Sequence, residues 1–195
     1  MELTADAVAP QLSIGASLPQ LAIESLPGSV RGDVQAAYDA ARARPTDPSA
    51  VGGLAMMLHA YEQYRAARDC YRIVLQHDPT SARWTYLSGV VQAELGEQAA
   101  AAASFRLALR LDPDYLPGRV RLADALMQGG DLSASREEYA ALARDLPELA
   151  LAHYGLGRLS SIGGEPNAAV EHYQRVVKLA PRFGPAHYAL ATRVP

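Results

Sequence analysis

Cysteine occurs once in the 195-residue chain, at Cys70, so no internal disulfide can form, and a lone thiol fits a reducing compartment. No apolar run approaches the ~18 residues that a membrane-crossing helix needs, which excludes a transmembrane span. The start, Met1-Glu2-Leu3-Thr4-Ala5-Asp6, lacks the basic and continuously apolar regions of a secretory signal. The cytoplasm is therefore slightly favoured and the periplasm stays open for a processed chain, so localisation is unassigned. There is no surplus of basic charge: 18 Lys and Arg against 21 Asp and Glu leave a net charge of −3, which argues against nucleic acid as a partner. Gly-rich phosphate loops, paired cysteines, a haem-attachment Cys-Cys-His and a His-Glu-x-x-His helix are all missing, leaving no catalytic, metal or cofactor motif.

What is present is a period. Pro45, Pro79, Pro113, Pro147 and Pro181 are spaced 34 residues apart. Tyr71, Phe105, Tyr139 and Tyr173 keep the same step. So do two series of small residues, Ala67/Ala101/Ser135/Ala169 and Ala55/Gly89/Ala123/Gly157/Ala191. Gly96, Gly130 and Gly164 form a further register, from which Glu62 departs.

Each proline ends a helix and marks a turn between units. Each glycine followed by an acidic residue ends one helix and opens the next. Two helical segments per unit lie between these signals. In the second, apolar or small residues recur at i, i+4, i+7 and i+8, as in Ala67/Tyr71/Val74/Leu75, which predicts one apolar stripe per helix. No single unit can bury its own stripe, whereas a stack buries all of them.

These registers resemble the tetratricopeptide repeat family, bacterial members in particular. Placing the proline at position 32 of the unit divides the chain into repeats 48–81, 82–115, 116–149 and 150–183. The first matches the family pattern with Val51, Leu54, Ala55, Leu58, Ala67, Tyr71, Val74 and Pro79, and the last with Leu156, Gly157, Ala169, Tyr173, Val176 and Pro181. The third has Ser135 where Ala is expected. The second departs in its first helix, where Thr85, Ser88 and Gln92 occupy usually apolar positions and Trp84 and Leu87 sit one place early, so a local rotation or shift is expected there. The resemblance implies an all-α superhelical solenoid that acts as a protein-interaction scaffold and not as an enzyme. The alternative is a regulatory or substrate-presenting portion of a larger enzyme or electron-transfer protein.

Outside the four repeats, 1–28 reads as an extended or disordered lead-in and 29–47 as a single capping helix, the second half of an incomplete repeat. Residues 184–195 restart a first helix. Tyr188 and Leu190 on that helix have nothing beyond them, so a truncated chain, or self-association through this end, is expected.

In the family the first helices line a concave groove through positions two, five, nine, twelve and thirteen. Carried over, these give Met56, His59, Arg83, Tyr86, Val90, Glu94, Val120, Asp124, Met127, Tyr154, Arg158 and Tyr188, with Arg83 and Arg158 able to hold a carboxylate of a partner protein or peptide. Of the residues that clamp chaperone tails in one subclass, only Arg121 is matched, which argues against that ligand. The competing reading is that several of the twelve pack between neighbouring first helices. His153 and His187 share position four of successive repeats; a metal reading would need a third ligand, and packing is the plainer explanation. Cys70 beside Tyr71 reads as a packing residue. Glu137, Glu138 and Glu148 read as solvated surface.

Overall fold

The computed structural model describes residues 17–192. Ten α-helices follow one another with no strand among the described residues: α1 (Gly28–Ala43), α2 (Pro48–Ala60), α3 (Tyr64–His77), α4 (Ala82–Glu94), α5 (Gln98–Leu111), α6 (Leu116–Gln128), α7 (Leu132–Asp145), α8 (Ala150–Ile162), α9 (Pro166–Leu179) and α10 (Gly184–Ala191). Each packs mainly on the helices before and after it, which is the contact pattern of a helical solenoid.

The helix ends follow the sequence signals. Asp47, Ser81 and Asp131 accept hydrogen bonds from backbone N–H groups in the first turns of α2, α4 and α7. Gly96, Gly130 and Gly164 have φ between 72° and 87°, the left-handed conformation that closes a helix. Glu62 takes the same conformation at φ 60°, because the turn's hydrogen bonds demand it: Gln63 N donates to Leu58 O (2.8 Å), just as Glu97 N donates to Gln92 O (2.9 Å).

The stacked apolar stripes form the core. Tyr71 and Phe105 are fully buried, and Tyr139 and Tyr173 nearly so. The small residues receive these rings: a Cβ added to Gly89 would lie 2.8 Å from the Phe105 ring, and one on Gly157 would lie 2.6 Å from Tyr173. Ser135, which stands where Ala is expected, is buried and donates to Ala123 O at 2.8 Å, so its hydroxyl costs little.

Two elements differ from expectation. The first helix of the second repeat is not displaced: Thr85 and Ser88 stay inside, and Thr85 Oγ1 donates to Ser81 O at 2.8 Å. Trp84 instead turns toward the preceding repeat, its ring 2.5 Å from the point where Gly52 would carry a Cβ. In the lead-in, residues 1–16 lie outside the described residues, as do 193–195 at the other end. Residues 17–22 have no regular structure, but a 3-10 turn follows at Ile23–Ser25, and Leu18, Leu21, Ile23 and Leu26 pack on the first core cluster. Arg31 secures this turn by donating to Glu24 O (2.9 Å) and Leu26 O (3.1 Å). Breaker residues hide this packing in the sequence, because its apolar partners are distant in the chain.

Candidate functional site: the inner wall of first helices

Curvature decides which face can receive a partner. The first helices α4, α6 and α8 touch one another directly, α4 to α6 and α6 to α8. No second helix meets another second helix to that extent. The stack therefore bends with its first helices on the inside, and α2, α4, α6, α8 and α10 form a concave wall.

Of the twelve wall residues expected from the sequence, Met56, Arg83, Glu94 and Tyr188 are exposed, Tyr188 by 73%. His59, Tyr86, Val120, Asp124, Tyr154 and Arg158 are half-buried. Val90 and Met127 do not line a groove. Val90 packs in the cluster around Phe105, and Met127 in the one around Tyr139 and Leu142. The direct abutment of α4, α6 and α8 closes over these two side chains, so the packing reading holds for them.

Asp124 sits at the middle of the wall and is already engaged. Tyr139 Oη donates to its Oδ1 at 2.6 Å, and Arg158 Nη1 lies 3.6 Å from the same oxygen. Burial, then the Asp124 charge, drives the Tyr139 pKa up, so the phenol stays a donor at every physiological pH. Arg158 is therefore not the free carboxylate holder expected of it; its charge is largely spent on Asp124. Arg83 is different. Its guanidinium lies 4.6 Å over the Trp84 ring, with Nη2 3.1 Å from Met56 Sδ and no carboxylate partner among the described residues.

The wall has a second free cation that the twelve positions omit. Arg121, three residues before Asp124 on α6 and so on the same face of that helix, is exposed and forms no ion pair among the described residues. Its match to a single clamp position is the one signal the sequence held. His59 presents its ring edge-on to Tyr64 and Tyr71, at centroid distances of 5.9 and 6.4 Å. Burial lowers its pKa, with Glu94 opposing and Arg121 adding to that shift.

Two of the position-five tyrosines, Tyr86 and Tyr154, are built into the wall, while Tyr188 on α10 stands exposed. Tyr86 meets Tyr115 edge-on at 4.8 Å and Phe105 at 5.7 Å; Tyr154 meets Phe183 edge-on at 5.0 Å and Tyr173 at 5.9 Å. Positions 5 and 34 of one repeat thus form an aromatic pair. The first repeat has Gly52 and Ser81 there, and Trp84 fills the space.

The remaining candidates resolve into packing. His153 Nε2 lies 3.0 Å from Pro147 O and His187 Nε2 2.8 Å from Pro181 O, so each position-four histidine ties down the preceding turn. No group of three His, Cys, Asp or Glu side chains suited to a metal ion occurs among the described residues. Cys70 is buried and its thiol is pushed up to about 12 by burial, far from a reactive thiolate. Among the described residues no helix is long and apolar enough to cross a membrane.

Against known proteins, the profile of the family described as Tetratricopeptide repeat matches residues 61–115 and 120–182. The fold is similar to that of YrrB, described as a TPR protein with an unusual peptide-binding site: TM-score 0.74, 19% identity, covering 85% of this chain and 84% of that one. It is also similar to MamA of Desulfovibrio magneticus, with TM-score 0.73 and 20% identity over 80% of this chain and 88% of that one. A thermophilic TPR protein of Thermus thermophilus aligns with TM-score 0.63 and 18% identity over 84% of this chain and 90% of that one. At such identities the likeness is one of fold. No curated protein matches the sequence.

Proposed function

Because the chain belongs to the tetratricopeptide repeat family, a protein-interaction fold, we propose that its concave wall binds a segment of a partner polypeptide carrying apolar side chains and a carboxylate. The observation that carries this reading is the placement of exposed apolar groups. Met56, Leu151, Ile162 and Tyr188, four of the six large apolar side chains most exposed to solvent, all sit on first helices. Between them stand the unpaired guanidinium groups of Arg83 and Arg121. Met56 and the tyrosine suit a site that re-packs around its guest, and each arginine can grip a carboxylate through two N–H groups. YrrB, on a similar fold, is described as having a peptide-binding site, which supports a peptide as the class of guest.

The test is selection from a displayed library of random peptides about 12 residues long, followed by titration of the selected peptides. Recovered sequences should combine apolar and acidic residues. Arg121→Ala or Arg83→Ala should weaken them about tenfold, the loss of one charge-assisted contact, while Arg175→Ala on α9 should not. Equal affinity for wild type and both wall variants, with all of them folded by circular dichroism, would assign binding elsewhere.

A further inference from the structure

The polar departures of the second repeat collect in one place on the opposite face. The bend that brings first helices together spreads the second helices, and a furrow of about 490 Å³ opens between α3 and α5 with α4 as its floor. Its floor is Ser88 and Gln92, one turn apart. Arg68, Asp69, Arg72 and Gln76 of α3 form one wall, and Ser104 of α5 stands on the other. In the first repeat the two floor positions are Leu54 and Leu58, and in the third Leu122 and Leu126; only the second repeat makes both polar. The next furrow, between α5 and α7, has Leu122 where this one has Ser88.

Contacts inside the fold account for that exchange only in part. Thr85 and Ser135 each satisfy their hydroxyls on a backbone carbonyl, whereas Ser88 makes no hydrogen bond among the described residues. Ser104 Oγ donates to Gln92 Oε1 at 2.7 Å, which holds the amide in one orientation and leaves its Nε2 hydrogens unused. Arg68 is engaged by Glu97 at 2.5 Å and Asp69 at 3.5 Å, but Arg72 pairs with no carboxylate among the described residues. The furrow thus offers one free guanidinium, an oriented amide donor and a hydroxyl, with Asp69 close enough to accept an N–H.

We infer that this furrow is a second binding site, on the outer face, for a carboxylate-bearing segment of a polypeptide. Arg72 and Gln92 Nε2 receive the carboxylate, Ser88 donates to it, and Asp69 accepts a backbone N–H of the guest. Glu97 and Asp69 occupy Arg68, so Arg72 alone supplies an unpaired positive charge, and one guanidinium matches a singly charged carboxylate better than a phosphate dianion.

The experiment is a titration of the full chain, followed by amide and side-chain NMR shifts, with three probes: a capped tetrapeptide containing one Glu, its Gln counterpart, and inorganic phosphate. Shifts confined to α3, α4 and α5, including the Gln92 side chain, with the Glu peptide saturating in the millimolar range and the Gln peptide at least tenfold weaker, are expected. Ser88→Leu combined with Gln92→Leu, which copies the third repeat's floor, should keep the fold and abolish these shifts. Arg72→Gln should weaken them at least tenfold, and Arg121→Ala on the inner wall should leave them unchanged. Shifts on the inner wall alone, phosphate binding as tightly as the Glu peptide, no shift at all, or a leucine floor that binds undiminished would each overturn the inference.

Discussion

Three of the four stacked rings are tyrosines that look interchangeable in the sequence, yet their hydroxyls meet different fates, and removing them one at a time separates them. Tyr139 Oη donates to Asp124 at 2.6 Å, Tyr173 Oη shares a 3.0 Å hydrogen bond with Ser161 Oγ, and Tyr71 Oη is buried with no partner among the described residues. A hydrogen bond to a charged group contributes about 1.5–3 kcal/mol, but Asp124 keeps Arg158 nearby and is partly solvated, so Tyr139→Phe should cost about 1–2 kcal/mol. Tyr173→Phe removes a neutral bond and should cost about 0.5–1.5 kcal/mol. Tyr71→Phe removes a desolvated hydroxyl that gains nothing, so stability should hold or rise by up to about 1 kcal/mol. For a chain of this length each kcal/mol moves Tm by about 2–4 °C. Arrays of repeats can unfold in stages, so urea titrations should be followed both by circular dichroism and by the fluorescence of Trp84, the single tryptophan, whose ring lies 6.3 Å from Tyr71. A loss at Tyr71→Phe equal to or larger than that at Tyr139→Phe, by either probe, would refute the assignment of bonded and unbonded hydroxyls.

Other perturbations follow from the same packing. Tyr139→Ala should cost about 3–5 kcal/mol in a urea titration, as expected for a buried aromatic, and a cost below about 1 would mean the ring is not in the core. Gly155→Ala drives a methyl into the Tyr139 ring and should cost about 1–3 kcal/mol, whereas Gly53→Ala on the open side of α2 should stabilise slightly. Glu62→Gly relieves a left-handed non-glycine residue and should gain roughly 0.5–1 kcal/mol in thermal melting; a loss would show that the Glu62 side chain has a role of its own. Burial holds the pKa of His59 and His172 below 6.5, so between that value and the lower folded pKa the unfolded chain binds more protons. Stability should therefore be undiminished at pH 7 and fall as pH drops through 6.5 towards the folded values, and replacing both histidines with Gln should flatten that limb.

The periodic part of the structure was legible because stacking forces it. A ring at position 24 must meet a small residue in every unit, and the turn before each second helix must close in the left-handed conformation, so both leave marks every 34 residues. Glu62 shows the limit of the glycine rule, since backbone hydrogen bonds set that conformation and glycine merely makes it cheap. The wall was legible in its positions but not in its depth. Val90 and Met127 disappear because α4, α6 and α8 abut, and abutment depends on the curvature of the whole array. Arg158 was expected to be free because its counter-charge, Asp124, and the tyrosine that orients Asp124 come from two other helices. The sequence does contain the pairing of position 5 with position 34, Tyr86 with Tyr115 and Tyr154 with Phe183, and it can be found once one knows that those positions touch.

Where a unit deviates from the pattern, the deviation is usually balanced within reach. Gly52 and Ser81 leave a hole at the aromatic pair of the first repeat, and Trp84 of the next repeat fills it. Ser135 replaces an alanine in the core and returns its hydroxyl to Ala123 O. Thr85 does the same with Ser81 O. Such repairs are what a sequence selected only for stacking would keep, because an unpaired polar group near the core lowers stability. Ser88 breaks that rule, and Gln92 beside it is bonded only through Oε1 to Ser104, which leaves its Nε2 hydrogens unused in a furrow that also holds an unpaired arginine. A leucine pair at these positions would pack as it does one repeat later, so stability alone gives no reason for the polar pair. Ser160, at the second of these positions in the fourth repeat, is also buried without a hydrogen-bond partner among the described residues, so what marks the second repeat is a polar pair beside an unpaired arginine in an open furrow, where another molecule can supply the missing contacts.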